Sequence, residues 1–438
     1  MGCLSMKDLQ GKRLLVLGGT RISCEIIEKA RELGIIVAVT DYNSLEDSPG
    51  KQMADEAYSM SATDVNNVVS LIKNKSIDGV IVGFNDMLLP FYADICKKAN
   101  LPCYGTKEQF NIFTNKDLYK SLCRKYGVPT VEEYSVSLDS FDEDVNKIKF
   151  PVLVKPADNS GARGIFICKD KEELYACYNK CLNYSKTGKI LIEHYLTGNE
   201  VTVFFVFQNG NYYLTGIGNR HVKLSKAGII PLPVGYTFPA SVTDTYIETI
   251  LPKVKEMLKD LGIMDGMMFM QCKVEDGIVI AYDIGYRLTA SLEYRIFDEC
   301  CGYNPLEMMI RFALTGKMAE YDLKDNIISD LGTYAYNVSF LAEPGVIKDI
   351  QGIQDVSSLE GVAGAVIAHF PGETITKSME GLLAQISVRV VGKAKDEIDL
   401  WNKINYIQDE IKIISEEGNN LVSRRIEKGD FKGLLKKV

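Results

Sequence analysis

Histidine is scarce: the 438 residues hold only His194, His221 and His369. A histidine-built metal centre is therefore nearly excluded, and a hard cation held by oxygen ligands remains the open metal option. Cysteine is present eleven times, but C-x-x-C and paired zinc-type spacings are missing. An odd count in a long chain reads as reduced thiols serving as small buried hydrophobes. No apolar run reaches about eighteen residues, so no membrane span is expected. Met1 to Lys12 lacks the basic-then-apolar order of a secretion signal, and Met6 stands where an acylation motif wants Ser or Thr, so the expected location is cytoplasmic. Basic blocks are absent as well. The formal charge is −8 and the pI near 5.3, which argues against nucleic acid as a partner.

What is present is an ordinary globular composition, 46% hydrophobic, with a length suggesting about three domains. Lys12 to Asp41 reads as buried strand, Gly18-Gly19 turn, amphipathic helix and second buried strand, the βαβ unit of a doubly wound α/β domain spanning 1–110. Only the first glycine of G-x-G-x-x-G is there, so tight strand-to-helix packing explains the pair as well as a dinucleotide site does. A strand at Gly79 to Val82 extends the sheet and puts Asn85 and Asp86 just past its carboxyl end. Asn111 to Tyr126 reads as one helix with Lys116 near its start.

Phe150 to Cys168 reads as strand, glycine-bearing loop, strand. Lys155 ends the first strand, and Asn159, Ser160, Gly161 and Gly164 allow a tight turn whose N–H groups can face an anion. Its complement is Ile190 to Val203, two strands around a connector carrying Glu193 and Glu200. A helix at Lys171 to Asn183 separates them, giving a small unit from about 128 to 207 that could hinge. Arg220, His221 and Lys223 follow a hairpin and form a candidate anion contact. One helix is expected over Val242 to Leu261. A further hairpin turns at Glu275-Asp276-Gly277, placing Gln271 and Asp283 on facing strands. From about Leu331 short strands and one helix (Lys395 to Ile411) suggest a separate α+β module, 331–438.

Taken together these residues resemble the ATP-grasp superfamily, especially its carboxylate-amine ligases and its biotin-carboxylase-like and carbamoyl-phosphate-synthetase-like members. The likeness rests on Thr114-Asn115-Lys116, Phe150 to Gly164, Glu193 to Glu200 and the hairpin ending in Arg287. It implies an ATP-grasp domain over 111–330 with a lid at about 128–207. Lys116, Lys155 and the loop with Ser160, Gly161, Arg163 and Gly164 would hold the ATP phosphates. Glu193 and the backbone of Tyr195 and Leu196 would meet adenine, and Glu200 the ribose; His194 stands where relatives often have lysine. Gln271 and Asp283 would hold Mg²⁺ (or Mn²⁺), Arg287 would stabilise the transferring phosphoryl group, and Arg220 and His221 would take a substrate carboxylate.

The hairpin departs from the family pattern. Where relatives have Glu, then Glu-x-Asn-x-Arg, this chain has Gln271, then Asp283-Ile284-Gly285-Tyr286-Arg287. The implied function is an ATP-dependent ligase that joins a small carboxylate and an amine through an acyl phosphate. The alternative is an ATP-binding regulatory or scaffolding protein with a degenerate metal site. The substrates and the oligomeric state, a homodimer among the options, stay open.

Overall fold

Four strands in the order Glu56–Ser59, Ile36–Asp41, Arg13–Leu17, Gly79–Ile81 form an all-parallel sheet near the amino end. The computed structural model describes residues 8–137, 140–157, 164–185, 187–224 and 231–438. Leu14, Leu15 and Val16 are completely buried, as expected of a central strand covered on both faces by helices. Gly19 is fixed by packing: its N–H donates to Asp41 Oδ2 at 2.7 Å, and a Cβ there would fall 2.1 Å from Ser48 Oγ. That crowding accounts for the glycine.

Two expected helices are each broken in two, for local reasons. Lys107–Thr114 and Lys116–Tyr126 part at Asn115, whose backbone is extended and whose Oδ1 accepts from the N–H groups of Asp117 (3.0 Å) and Leu118 (3.2 Å). Thr243–Thr249 and Leu251–Asp260 part at Ile250, because Pro252 fits the first turn of a helix and not its interior.

The strands Glu133–Tyr134, Ile190–His194, Val152–Pro156 and Phe166–Cys168 make a small antiparallel sheet with its own core of Val152, Val154, Cys168, Leu174, Cys181 and Ile192. Asn199–Gln208, placed with this unit from the sequence, belongs elsewhere: it is an inner strand of an eight-stranded antiparallel sheet. That sheet runs Ile278–Gly285, Gly266–Glu275, Asn199–Gln208, Asn211–Lys223, Leu232–Phe238, Tyr334–Leu341, Ile386–Ala394, Val362–Ile367.

The region beyond 331 has a second core of its own, built on Val338, Phe340, Val388, Leu400 and Ile404. Three of its strands nevertheless continue the large sheet, Gly235 pairing with Val338 across the expected boundary. Sequence patterning marks where strands lie but not which sheet they join. The ten described cysteines are free thiols, and no helix of the described residues is long and apolar enough to cross a membrane.

Candidate functional site

Between the small sheet and one face of the large sheet lies a cleft of about 330 Å³. Its apolar wall is Val131, Leu153, Ile165, Ile167 and Leu196; its charged lining is Lys116, Lys155, Arg220 and Lys273 against Glu193, Glu200 and Asp283. Cations outnumber carboxylates here, in a chain whose net charge is −8. An apolar slot beside surplus positive charge suits a flat base that carries an anionic chain.

The large sheet sets the floor by register. Lys273, Glu200, Arg220 and Tyr236 are cross-strand partners on four successive strands, so their side chains share one face. Asp283, Gln271 and Thr202 form the neighbouring row. The register slips between Gln271 and Cys272, leaving Tyr282 as the extra residue of a bulge, and both Tyr282 and Asp283 then line the cleft.

At the lid end the carboxylates are answered by protein cations. Glu193 accepts from Lys155 at 2.6 Å and from Lys120, and Lys120 also reaches Glu133 at 2.7 Å. Burial pushes the Glu193 carboxyl up, but Lys155 and Lys120 more than offset this and hold it below its ordinary value. Burial pulls Lys155 down to about 8, Glu193 opposing and Lys116 and Lys120 adding to the fall. One buried carboxylate thus serves two lysines with a third nearby, and the group as a whole favours an added anion. Glu200 pairs with Arg220, accepts from Tyr282 Oη at 3.2 Å and lies 3.6 Å from Lys273. Lys273 also donates to the Leu196 carbonyl at 2.9 Å and sits over the Tyr195 ring at 5.2 Å.

The hairpin end differs. Asp283 faces Gln271 directly, and no hydrogen bond or ion pair engages its carboxylate among the described residues. Burial raises its pKa, with Lys116 the strongest opposing influence. Arg287 is held by a two-pronged pair with Asp86, Nε and Nη2 each 2.7 Å from a carboxylate oxygen, and lies over the Phe269 ring at 5.0 Å. Gly285, where an asparagine ligand is absent, has no space for one: a Cβ would fall 2.3 Å from the Phe269 ring. Asp283 and Gln271 supply one anionic and one neutral oxygen donor, which fits a single hard cation sharing its remaining positions with phosphate oxygens and water.

Several expected contacts have other partners. Glu193 is engaged by lysines rather than left open to an adenine amino group. The Tyr195 N–H is taken by the Pro151 carbonyl at 2.9 Å, whereas the Leu196 N–H has no partner among the described residues. Arg220 is in the cleft but tied to Glu200. His221 lies outside the cleft lining, buried, bonded to Thr237 Oγ1 at 2.8 Å and edge-on to Phe431; burial lowers it to about 4, so it is neutral and unsuited to holding a carboxylate. His194 lines the cleft with Nε2 3.2 Å from Glu275. Ser160, Gly161 and Arg163 lie outside the described residues; Gly164 is described, at φ +76° against Tyr184. Lys120, Lys273 and Tyr282 were not anticipated. Lys273 and Tyr282 neighbour the predicted hairpin ligands on the same strands, and that adjacency was the available signal.

Residues 148–290 match the ATP-grasp domain model. The chain is 24% identical over 301 residues to the carbamoyl phosphate synthase large chain of Clostridium beijerinckii, covering 68% of this chain and 28% of that one. It is 27% identical over 215 residues to the phosphoribosylamine–glycine ligase of Leptospira interrogans, covering 46% and 49%. Among solved structures it superposes, at 20% identity and TM-score 0.74, on the biotin carboxylase domain of the Hydrogenobacter thermophilus 2-oxoglutarate carboxylase, crystallised with ADP, its magnesium salt and bicarbonate, over 92% of this chain and 91% of that one. The chain contains an ATP-grasp domain, and its fold is like that of the biotin carboxylase domain. It spans 28% of the length of the carbamoyl phosphate synthase chain it matches and about half that of the glycine ligase.

Proposed function

We propose that the protein is an ATP-dependent carboxylate-amine ligase that works through an acyl phosphate. The observation that carries this reading is the unpaired Asp283–Gln271 couple beside a fixed Arg287, at the end of a cationic cleft. The names of the relatives, a synthase and a ligase, support it.

The base lies against Ile167, Leu153 and Leu196, with the Leu196 N–H as donor. Glu200 holds the sugar hydroxyls, and Lys116 and Lys155 bind the phosphates as point charges. Asp283 and Gln271 would hold Mg²⁺ (or Mn²⁺), which when bound would neutralise charge on the phosphate chain. A substrate carboxylate oxygen attacks the terminal phosphorus, the bond to the ADP oxygen breaks, and Arg287 offsets the charge spreading over the transferring group. The amine then forms the C–N bond as phosphate leaves. Cover by the lid keeps water from the anhydride.

The alternative, a nucleotide-binding regulatory subunit, predicts a spent metal site. Asp283 retains its carboxylate, and no ion pair engages it among the described residues, so the ligase reading is favoured. Hydroxylamine trapping tests it: Mg-ATP with pools of small carboxylates is expected to give hydroxamate and ADP in equal amounts. Bound ATP with no carboxylate-dependent hydroxamate or ADP would overturn it.

A further inference from the structure

The eight-stranded sheet ends differently at its two edges. Along Ile278–Gly285 the chain supplies its own cover: the Ala281 N–H donates to the Pro129 carbonyl at 2.9 Å, and Thr130 Oγ1 donates to the Ala281 carbonyl at 3.0 Å. The other edge is Val362–Ile367. At its first residue the Val362 N–H turns back to the Leu359 carbonyl at 3.1 Å, and no other hydrogen bond from outside the sheet reaches this strand among the described residues.

The register shows which of its backbone groups point outward. Ile367 pairs with Val388, and the next residue, Ala368, donates to the Ser387 carbonyl at 2.8 Å, so Ala368 and, two residues back, Val366 spend their backbone groups on the neighbouring strand. By antiparallel alternation Ala365 and Ile367 direct their N–H and C=O groups away from the sheet.

An unpaired edge is a template for another strand, and natural sheets blunt it by shortness, charge, proline or cover. Among the described residues the outer strands of the other sheets are short: Glu56–Ser59 and Lys412–Ser415 have four residues each, Gly79–Ile81 and Phe166–Cys168 three, Glu133–Tyr134 and Thr374–Ile375 two. Val362–Ile367 has six, and Val-Ala-Gly-Ala-Val-Ile carries neither charge nor proline. A slip in register between Val362 and Gly364 is confined to its amino end.

Its side chains are already engaged. Ala363 and Val366 pack against the main core, and Val362 and Ala365 against the core of the region beyond 331. Recognition therefore falls to the backbone, and the fitting partner is an extended strand with an unpaired edge of its own. The sequence says which strand: it reads alike in both directions about Gly364, Val362 matching Val366 and Ala363 matching Ala365. Two antiparallel copies so aligned set valine against valine and alanine against alanine, with Gly364 on the two-fold axis. We propose that Val362–Ile367 is a homodimer interface, at which the strands of two copies pair antiparallel about Gly364 and join their eight-stranded sheets into one. This holds whichever reaction the cleft performs.

The experiment is sedimentation velocity of the full chain from ~1 to ~100 µM, with amide hydrogen exchange over the same range. The expected species has twice the chain mass of 48.8 kDa, and exchange at Ala365 and Ile367 slows as it forms. Ala365→Pro removes only an outward-pointing donor, and Ile367→Lys places a charge on the edge at a side chain outside both cores. Each should raise the dimer dissociation constant by at least ~10-fold while circular dichroism and ADP affinity stay those of the parent chain. A parent chain that remains monomeric at ~100 µM overturns the inference and leaves the edge to a strand of another protein. A dimer that both variants leave intact, or whose formation does not slow exchange at Ala365 and Ile367, overturns it as well.

Discussion

The two ends of the cleft are built on opposite electrostatic plans. At the lid end Glu193 is enclosed by Lys120 and Lys155, and Glu200 by Arg220, Lys273 and Tyr282. At the hairpin end Asp283 has a neutral glutamine opposite it and no ion pair among the described residues, while the nearby Arg287 is committed to Asp86. The first arrangement is self-sufficient and holds the lid sheet to the Lys116–Tyr126 helix whether or not a ligand is bound. The second leaves the Asp283 carboxylate without a hydrogen bond or ion pair among the described residues, as the proposed cation site requires. Stability should therefore reside at one end and turnover at the other.

The largest expected effect is at the lid end. Glu193→Gln leaves two buried lysines without their shared carboxylate and should cost about 3–5 kcal/mol of unfolding free energy, read by denaturant titration. A loss below about 1 kcal/mol would show that the pair is not structural. Asp283→Asn should do the converse, lowering kcat/KM for Mg-ATP by about 10²–10³-fold while the melting temperature holds or rises, because a buried carboxylate with a raised pKa is removed.

Lys155 joins the two ends, and its pKa of about 8 sets a pH window. Above that value the free protein's lysine is neutral, so ATP affinity should fall by up to about tenfold per pH unit, and binding near pH 8.5 should be accompanied by proton uptake as the phosphates restore the charge. Titration in buffers of different ionisation enthalpy measures this; no uptake would place the phosphates away from Lys155. The smallest effect is Gln271→Glu, which adds a carboxylate facing Asp283. Mn²⁺ binding in the presence of a non-hydrolysable ATP analogue should tighten several-fold, with one ion bound in the parent chain because Phe269 fills the place of a further ligand at Gly285.

The hairpin end was the more legible in sequence. A turn at Asp276-Gly277, both at positive φ, joins two adjoining strands, so Gln271 and Asp283 on facing strands follow from counting residues, whereas the bulge at Tyr282 that sets them directly opposite does not. The lid end depends on long-range partners. Lys120 meets Glu133 and Glu193 from 13 and 73 residues away, and even at the hairpin end the Asp86–Arg287 pair, 201 residues apart, was hidden. No local pattern marks such pairs. His221 misled for a related reason: beside Arg220 it reads as a second cation, but strand alternation turns it to the opposite face, against Thr237 and Phe431. The join between the large sheet and the strands beyond 331 was equally hidden, since alternation shows that a strand is half-buried without naming its neighbour.

The most direct test compares the parent chain with Asp283→Asn in one assay: ADP and phosphate formed from Mg-ATP with mixed pools of small carboxylates and amines. The account predicts release that requires both pools in the parent and falls at least ~100-fold in the variant, with ATP still bound by both. ATP bound tightly and never consumed by the parent in any pool, or consumed equally by the variant, would contradict it.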